Sequence, residues 1–323
     1  MRIALTCVAA GLLAAAPAAA SPATVVGNGT PAGCTSAAVV RAVARGGTVT
    51  FACGPAPVTI AMRRTAKVRN TNPSLVLDGG GLVTLSGQGA RRILYQNTCD
   101  PAQTWTTSHC DNQATPRLVV KNLILTGGDS TGQTTDGGGG GAIFVRGGRL
   151  TIINSRFTAN RCDRTGPDVG GAAVRALSQY RNIPVRVVGS TFTGGRCANG
   201  GALSSIGVSW TITGSTFTGN RATGRGANPA RAGSPGGGSG GAIYLDGNRF
   251  TLTLRRSVLE DNTAPEGGGA VFFVSNDRTG TATLAASTLK HNPSLGFETP
   301  GLPGIYFLGA RPPLITEGTT LTP

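Results

Sequence analysis

Aromatic residues make up only 5% of this 323-residue chain, histidines and methionines number two each, and 14 Asp and Glu stand against 29 Lys and Arg. Each shortage excludes something. So few aromatic side chains argue against a helix bundle or an aromatic-rich sandwich core. With His109 and His291 alone and no Cys-x-x-Cys pair, a zinc site is not expected, and no metal site is assigned. Beyond residue 20 no stretch is apolar enough to cross a bilayer, so no membrane span is expected after the leader. The shortage of acid leaves a formal net charge of +15, a balance that attracts polyanions.

What the chain has in quantity is glycine, 51 residues, within a composition that is 39% hydrophobic. That combination favours a repetitive, tightly turned fold with a long core over disorder. Residues 1–20 carry Arg2 and then an Ala/Leu/Val stretch ending in Ala18, Ala19 and Ala20 before Ser21, the layout of a cleaved secretory signal. A membrane anchor is the other reading, but the apolar part falls short of a span. A secreted or periplasmic location follows. Cys7 lies in the leader, which leaves Cys34, Cys53, Cys99, Cys110, Cys162 and Cys197, an even count that reads as three disulfides.

A paired motif recurs five times. Gly-Gly-Ala-apolar stands at Gly140–Ile143, Gly170–Ala173, Gly200–Leu203, Gly240–Ile243 and Gly268–Val271. Ser-x-apolar follows at Ser155/Phe157, Ser190/Phe192, Ser215/Phe217, Ser257/Leu259 and Ser287/Leu289, and three residues later come Asn160, Gly195, Asn220, Asn262 and Asn292. Repetition of this kind outranks other signals. Aligned on the serine, Leu150/Ile152, Val185/Val187, Trp210/Ile212, Leu252/Leu254 and Ala282/Leu284 alternate with Thr151, Arg186, Thr211, Thr253 and Thr283. Period-two alternation puts the first set inside and the second outside. Repeats in one register stack in parallel, burying a core that no single repeat closes.

The fold class is therefore all-β: a single-stranded right-handed parallel β-helix, a solenoid, with a short N-terminal capping helix. The expected domain is 21–323, with the cap at 34–53 and the repeat core at 118–310. Thr35 or Ser36 caps a helix to Arg45, Gly46 stops it, and a strand follows at Thr48–Phe51. The asparagines read as a turn-lining ladder. In the Gly-Gly-Ala strand the inward parity is undecided, because Phe144, Val174, Ser204, Tyr244 and Phe272 alternate with equally apolar neighbours. The last repeat, Gly304–Leu308, is expected to be partial. Cys162 and Cys197 each lie five residues past an aligned Phe, so stacking brings them within disulfide reach. Nearest pairing then joins Cys34 to Cys53 and Cys99 to Cys110, one of three connectivities.

The motifs Gly140–Ile143 and Phe157–Asn160 resemble the repeat of polymorphic outer membrane proteins, over roughly residues 120–310. Cys34 through Cys53, with its Gly47–Phe51 strand, resembles the first coil of secreted bacterial pectin-lyase-like β-helix proteins. The resemblance implies fold more than activity. Those outer membrane proteins export themselves through a C-terminal barrel; this chain ends at Pro323, so anchoring by that route is not expected.

Insertions at one topological position emerge on one side of a stack, often the binding face. They carry Asp163, Arg164, Asp168, Arg221, Arg225 and Arg231, with Arg186 on the outward column. The glycine-rich stretch Arg221–Ser239 reads either as part of that face or as an inert loop. A second candidate is the Asn97–Asn112 excursion, with Trp105 as a sugar-stacking platform and His109. No compact catalytic motif stands out. The leading expectation is a non-catalytic module for extracellular or cell-surface glycans, its partner a polyanionic polysaccharide, with no nucleic acid and no required cofactor. The alternative is a lyase or hydrolase on a uronate-containing polysaccharide, with Ca2+ if a lyase. The threonine column raises ice binding, which Arg186 interrupts.

Overall fold

The computed structural model describes residues 23–104, 106–134 and 138–323. Among them the chain is all-β apart from one α-helix, Ser36–Arg45, and short 3-10 turns. The strands form a 17-stranded sheet, an 8-stranded sheet and a two-stranded ribbon. Every strand ladder is parallel, each strand pairing with its counterpart in the neighbouring repeat. One repeat gives Ile143–Arg146 to the smaller sheet, then Arg149–Ile153 and Arg156–Thr158 to the larger.

Alignment on the serine is the register the strands adopt. Ile152 pairs with Val187, Val187 with Ile212, Ile212 with Leu254 and Leu254 with Leu284, all buried, while Thr151, Arg186, Thr211, Thr253 and Thr283 form the outward column. Phe157, Phe192 and Phe217 stack face to face at 4.7 Å, the repeat spacing of parallel strands.

Between strands the chain turns at left-handed residues: Asn154 (φ 46°), Arg256 (47°) and Ala286 (48°) precede the serine, and Ala159 (50°), Asp261 (56°) and His291 (52°) precede the asparagine. Such corners take backbone groups out of the ladders, and buried groups must find partners elsewhere. The serines and asparagines supply them. The N–H of Ser155 donates to the hydroxyl of Ser190 at 3.1 Å, and the contact repeats from Ser190 to Ser215, Ser215 to Ser257 and Ser257 to Ser287. Likewise the N–H groups of Gly195, Asn220 and Asn262 donate to Asn220, Asn262 and Asn292, whose own amides return bonds to Phe192, Phe217 and Leu259 carbonyls. Asn220 and Asn262 also donate from Nδ2 to the next Oδ1 at 2.9 Å.

In the smaller sheet one repeat departs from the motif alignment. Val174, not Ala173, pairs with Ile143, and Arg175 pairs with Phe144. Gly171 (φ 72°) and not Gly170 occupies the left-handed turn held by Gly140 and Gly200. The outward column is thus Lys67, Tyr95, Phe144, Arg175, Ser204, Tyr244, Phe272 and Tyr306. Ile143, Val145, Val174, Leu203, Ile243, Leu245 and Phe273 face the core. The outward side chains from Tyr95 to Phe272 are buried as well, which is why the sequence shows no parity there.

The helix is capped by Thr35, whose hydroxyl accepts from the Ala38 N–H at 3.2 Å, and it ends at Gly46. Its buried face, Val39, Ala42 and Val43, covers the strands Ala66–Val68 and Ala23–Gly27. Its strand partner in sequence runs Gly47–Ala52. Parallel pairing extends beyond 118–310: Ala23–Gly27 opens the larger sheet, and Leu314–Ile315 and Thr320–Thr322 complete the last repeat after Ile305–Leu308.

Asn262→Ala removes four ladder hydrogen bonds inside the stack and is expected to lower stability by about 3 kcal/mol. Ala286→Gly relieves a left-handed alanine and is expected to raise it by about 1 kcal/mol. Urea midpoints measure both; an Asn262→Ala loss no larger than that of outward Thr253→Ala would mean that water, not the ladder, serves these groups.

Candidate functional site

The covered outward column of the smaller sheet is built of rings, with Tyr95 on Phe144 at 5.5 Å, Tyr244 on Phe272 at 5.0 Å and Phe272 on Tyr306 at 5.2 Å. Two repeats interrupt it. Ser204, the smallest member, leaves space into which Arg175 extends, its Nη1 donating to the Ser204 hydroxyl at 2.5 Å. Arg175 is 1% exposed and its Nε has no hydrogen-bond partner. None of the ion pairs among the described residues includes it. Burial lowers its pKa from the ordinary arginine range to about 10, and nearby Tyr244, Asp168 and Asp246 offset part of that.

Arg175 borders an open cleft of about 550 Å³. Along its floor Arg146, Leu177, Ile206 and Asp246 are successive partners on four adjacent strands. Asp168, Ser178, Gly247 and Asn276 complete the lining.

The long insertion closes the arrangement. It is pinned as an antiparallel turn, Arg225 opposite Gly236 and Ala227 opposite Gly237. Glu266 fastens it, accepting from the Gly226 N–H at 2.8 Å and from Arg231 at 3.0 Å. At its turn Asn228 donates to Asp168 Oδ1 and Asp246 Oδ2, both at 3.1 Å, and to the Tyr244 hydroxyl at 2.6 Å. The two carboxylate oxygens are therefore no further apart than twice that distance. Asp246 also accepts from the Gly247 N–H, Asn276 and the Tyr244 hydroxyl. Burial, reinforced by Asp246, pushes the Tyr244 phenol well above its ordinary pKa, so it stays a donor. A cation flanked by fixed carboxylates is the chemistry that orients a polar ligand carrying an acid and several hydroxyls.

Of the residues singled out from the sequence, Asp168 joins this cleft. Asp163 accepts from the Gly132 N–H, and the Arg164 carbonyl accepts from Thr223. Arg231 is spent on Glu266. Arg221 and Arg225 are exposed in bridging segments, and Arg186 lies on the other sheet. His109 is exposed beside the Cys99–Cys110 loop, and Trp105 lies outside the described residues. Arg146, Arg175, Asn228, Tyr244 and Asp246 were not anticipated. Shifting one repeat by a residue would have found Arg175, the single charged side chain in the column between Tyr95 and Tyr306.

Disulfides join Cys34 to Cys53, Cys99 to Cys110 and Cys162 to Cys197, with Cα separations of 5.6, 4.9 and 4.8 Å. The last pair sits under Val169, beside the insertion that carries Asp168. No helix among the described residues is long and apolar enough to cross a membrane. Glu260, Asp261 and His291 approach one another at the surface, but Lys290 already neutralises Glu260 at 2.8 Å. Compared with known proteins, the chain matches no family model, no curated protein and no solved structure.

A buried cation with an unpartnered donor costs stability, and replacing it with an apolar side chain of similar size relieves that cost. Because the folded pKa of Arg175 lies below its unfolded value, the penalty is fully present below about pH 10 and lifts as pH rises through it. Arg175→Met is therefore expected to hold or raise stability at pH 7, by up to about 4 kcal/mol. Calorimetry tests this; a marked fall in Tm would show that Arg175 is a structural strut.

Proposed function

We propose that the chain is a secreted right-handed parallel β-helix that binds an acidic polysaccharide in the Arg175 cleft. The unpartnered, buried Nε of Arg175 carries this reading. Arg175 and Arg146 receive the uronate carboxylate, while Asp168 and Asp246 accept from ring hydroxyls. In-register parallel stacking in two large sheets supports the β-helix assignment. Three disulfides support an oxidising, secreted or periplasmic setting. No cofactor takes part in binding.

One observation favours a second reading, a polysaccharide lyase on the same chain. The lowered pKa of Arg175 enlarges its neutral fraction, and a neutral guanidine can take the proton beside the uronate carboxylate. The C–H electron pair becomes the ring double bond, the bond to the glycosidic oxygen breaks with its pair left on oxygen, that oxygen takes a proton from water, and the proton on Arg175 returns to solvent. Calcium, bound through the hard oxygen donors of Asp168 and Asp246, would neutralise the uronate.

Isothermal titration with polygalacturonate, alginate and neutral dextran tests the binding reading. At salt high enough to screen charge-driven attachment elsewhere on the basic surface, the acidic polymers bind, dextran does not, and Arg175→Met abolishes the difference while the fold persists. Equal binding by Arg175→Met would remove the cleft from the function. Ultraviolet absorbance of unsaturated uronate tests the lyase reading, whose rate would climb as pH rises toward about 10 and vanish with chelator. A flat trace with intact binding leaves a non-catalytic module.

A further inference from the structure

A second concave site lies at the N-terminal end, in a cleft of about 780 Å³ lined by Arg64, Lys67, Arg69 and Arg91 with Val40, Ala44 and Thr104. No carboxylate lines it. Adjoining clefts add Arg41, Arg45 and Arg63. Residues 23–99 hold Asp78 as their single acid, and Asp78 is taken by Lys121 at 3.0 Å. Just beyond, Asp100 accepts from the Ala102 N–H, Gln103 and the Tyr95 hydroxyl. None of the seven cations forms an ion pair among the described residues.

Folding contacts account for two of these seven cations at most. Arg41, Arg45, Arg63, Arg64, Lys67 and Arg69 are exposed. Arg91 is tied to the Met62 carbonyl and to Gln88, and the Lys67 ammonium lies over the Tyr95 ring at 5.4 Å, contacts that leave both charges without a carboxylate. Seven like charges on one end repel one another, and that repulsion is relieved by a multivalent anion. The contrast with the Arg175 cleft matters: there cations and carboxylates alternate and suit a mixed polar ligand, whereas here charge of one sign lines an open groove and suits a chain of anions with little demand on sugar identity.

We propose that this groove is a separate anchoring site for a polyanionic glycan, holding its sulfate, phosphate or carboxylate groups while leaving the Arg175 cleft free. Arginine forks match all three oxyanions, and salt should weaken the contact steeply because binding releases condensed counterions.

The test uses the full mature chain and dextran sulfate as probe, by titration at several salt concentrations. Arg64→Ser, Lys67→Ser and Arg69→Ser are combined, all at exposed positions. The control removes three exposed arginines elsewhere, Arg186→Ser, Arg196→Ser and Arg255→Ser, for the same net charge. The groove variant is expected to lose about tenfold or more in affinity and to show a shallower salt dependence, with the control changing less than about threefold. Equal losses in both would overturn the proposal, since net charge alone would then explain binding. Arg175→Met separates the two sites: it keeps dextran sulfate affinity if the groove is independent, whatever becomes of uronate binding.

Discussion

Everything in this molecule depends on buried backbone groups finding partners at the corners between strands. Parallel ladders satisfy the straight segments, but left-handed corners interrupt them, two of which in each repeat precede the serine and the asparagine position. The serine column and the asparagine column mend those interruptions with side-chain oxygens that accept from the repeat before. A polar ladder of this kind also fixes register, because a slip of one residue would strand every amide at once. Apolar stacking, by contrast, would tolerate Phe on Leu, as it does where Phe217 meets Leu259.

That register is what turns a repeat into a site. Once Phe157 stands on Phe192, the chain emerging after each asparagine leaves from the same edge, and the insertions fold over the smaller sheet. Cys162 and Cys197, one repeat apart, tie down the segment bearing Asp168. The long insertion, anchored by Glu266, delivers Asn228 to Asp168, Tyr244 and Asp246 at once. Asp168 and Asp246, 78 positions apart in sequence, thereby come to lie near one guanidinium.

The larger sheet was legible in the sequence because it is buried on one face alone, so Leu150/Ile152 and Thr151 sort by parity. The helix was legible for a similar reason, with Thr35 and Gly46 marking its ends and one apolar stripe between. Along the smaller sheet that signal fails. Ile143 faces the core and Phe144 faces the insertions, both sides are apolar, and a strand covered on both faces reads as a continuous hydrophobic run. In Gly170-Gly171-Ala172-Ala173 the glycine pair attracts the alignment, yet the left-handed turn needs only one glycine, at Gly171. The motif alignment hides Arg175, since it puts Val174 in the column and nothing seems out of order; the observed register puts Arg175 there. Asn228 and Asp246 carry no local signal at all; their meeting depends on how the insertion folds.

The column that holds Arg175 is where the sequence departs from what stability alone favours. Rings at Tyr95, Phe144, Tyr244, Phe272 and Tyr306 make the remainder a dry, stacked surface under the insertions. An aromatic side chain at position 175 and another at 204 would complete it with no charge to desolvate and no orphaned donor. Instead the two adjacent positions hold the longest cation and a small hydroxyl, which together cost burial energy and supply one hydrogen bond. Local conflicts of this sort concentrate at functional sites, where neighbouring structure sustains what folding alone would discard. The same logic separates the two cationic sites. At the N-terminal groove the charges are solvated and cheap, which suits the long-range attraction proposed there; in the Arg175 cleft a single buried charge is expensive, which suits the specific ligand group proposed for it.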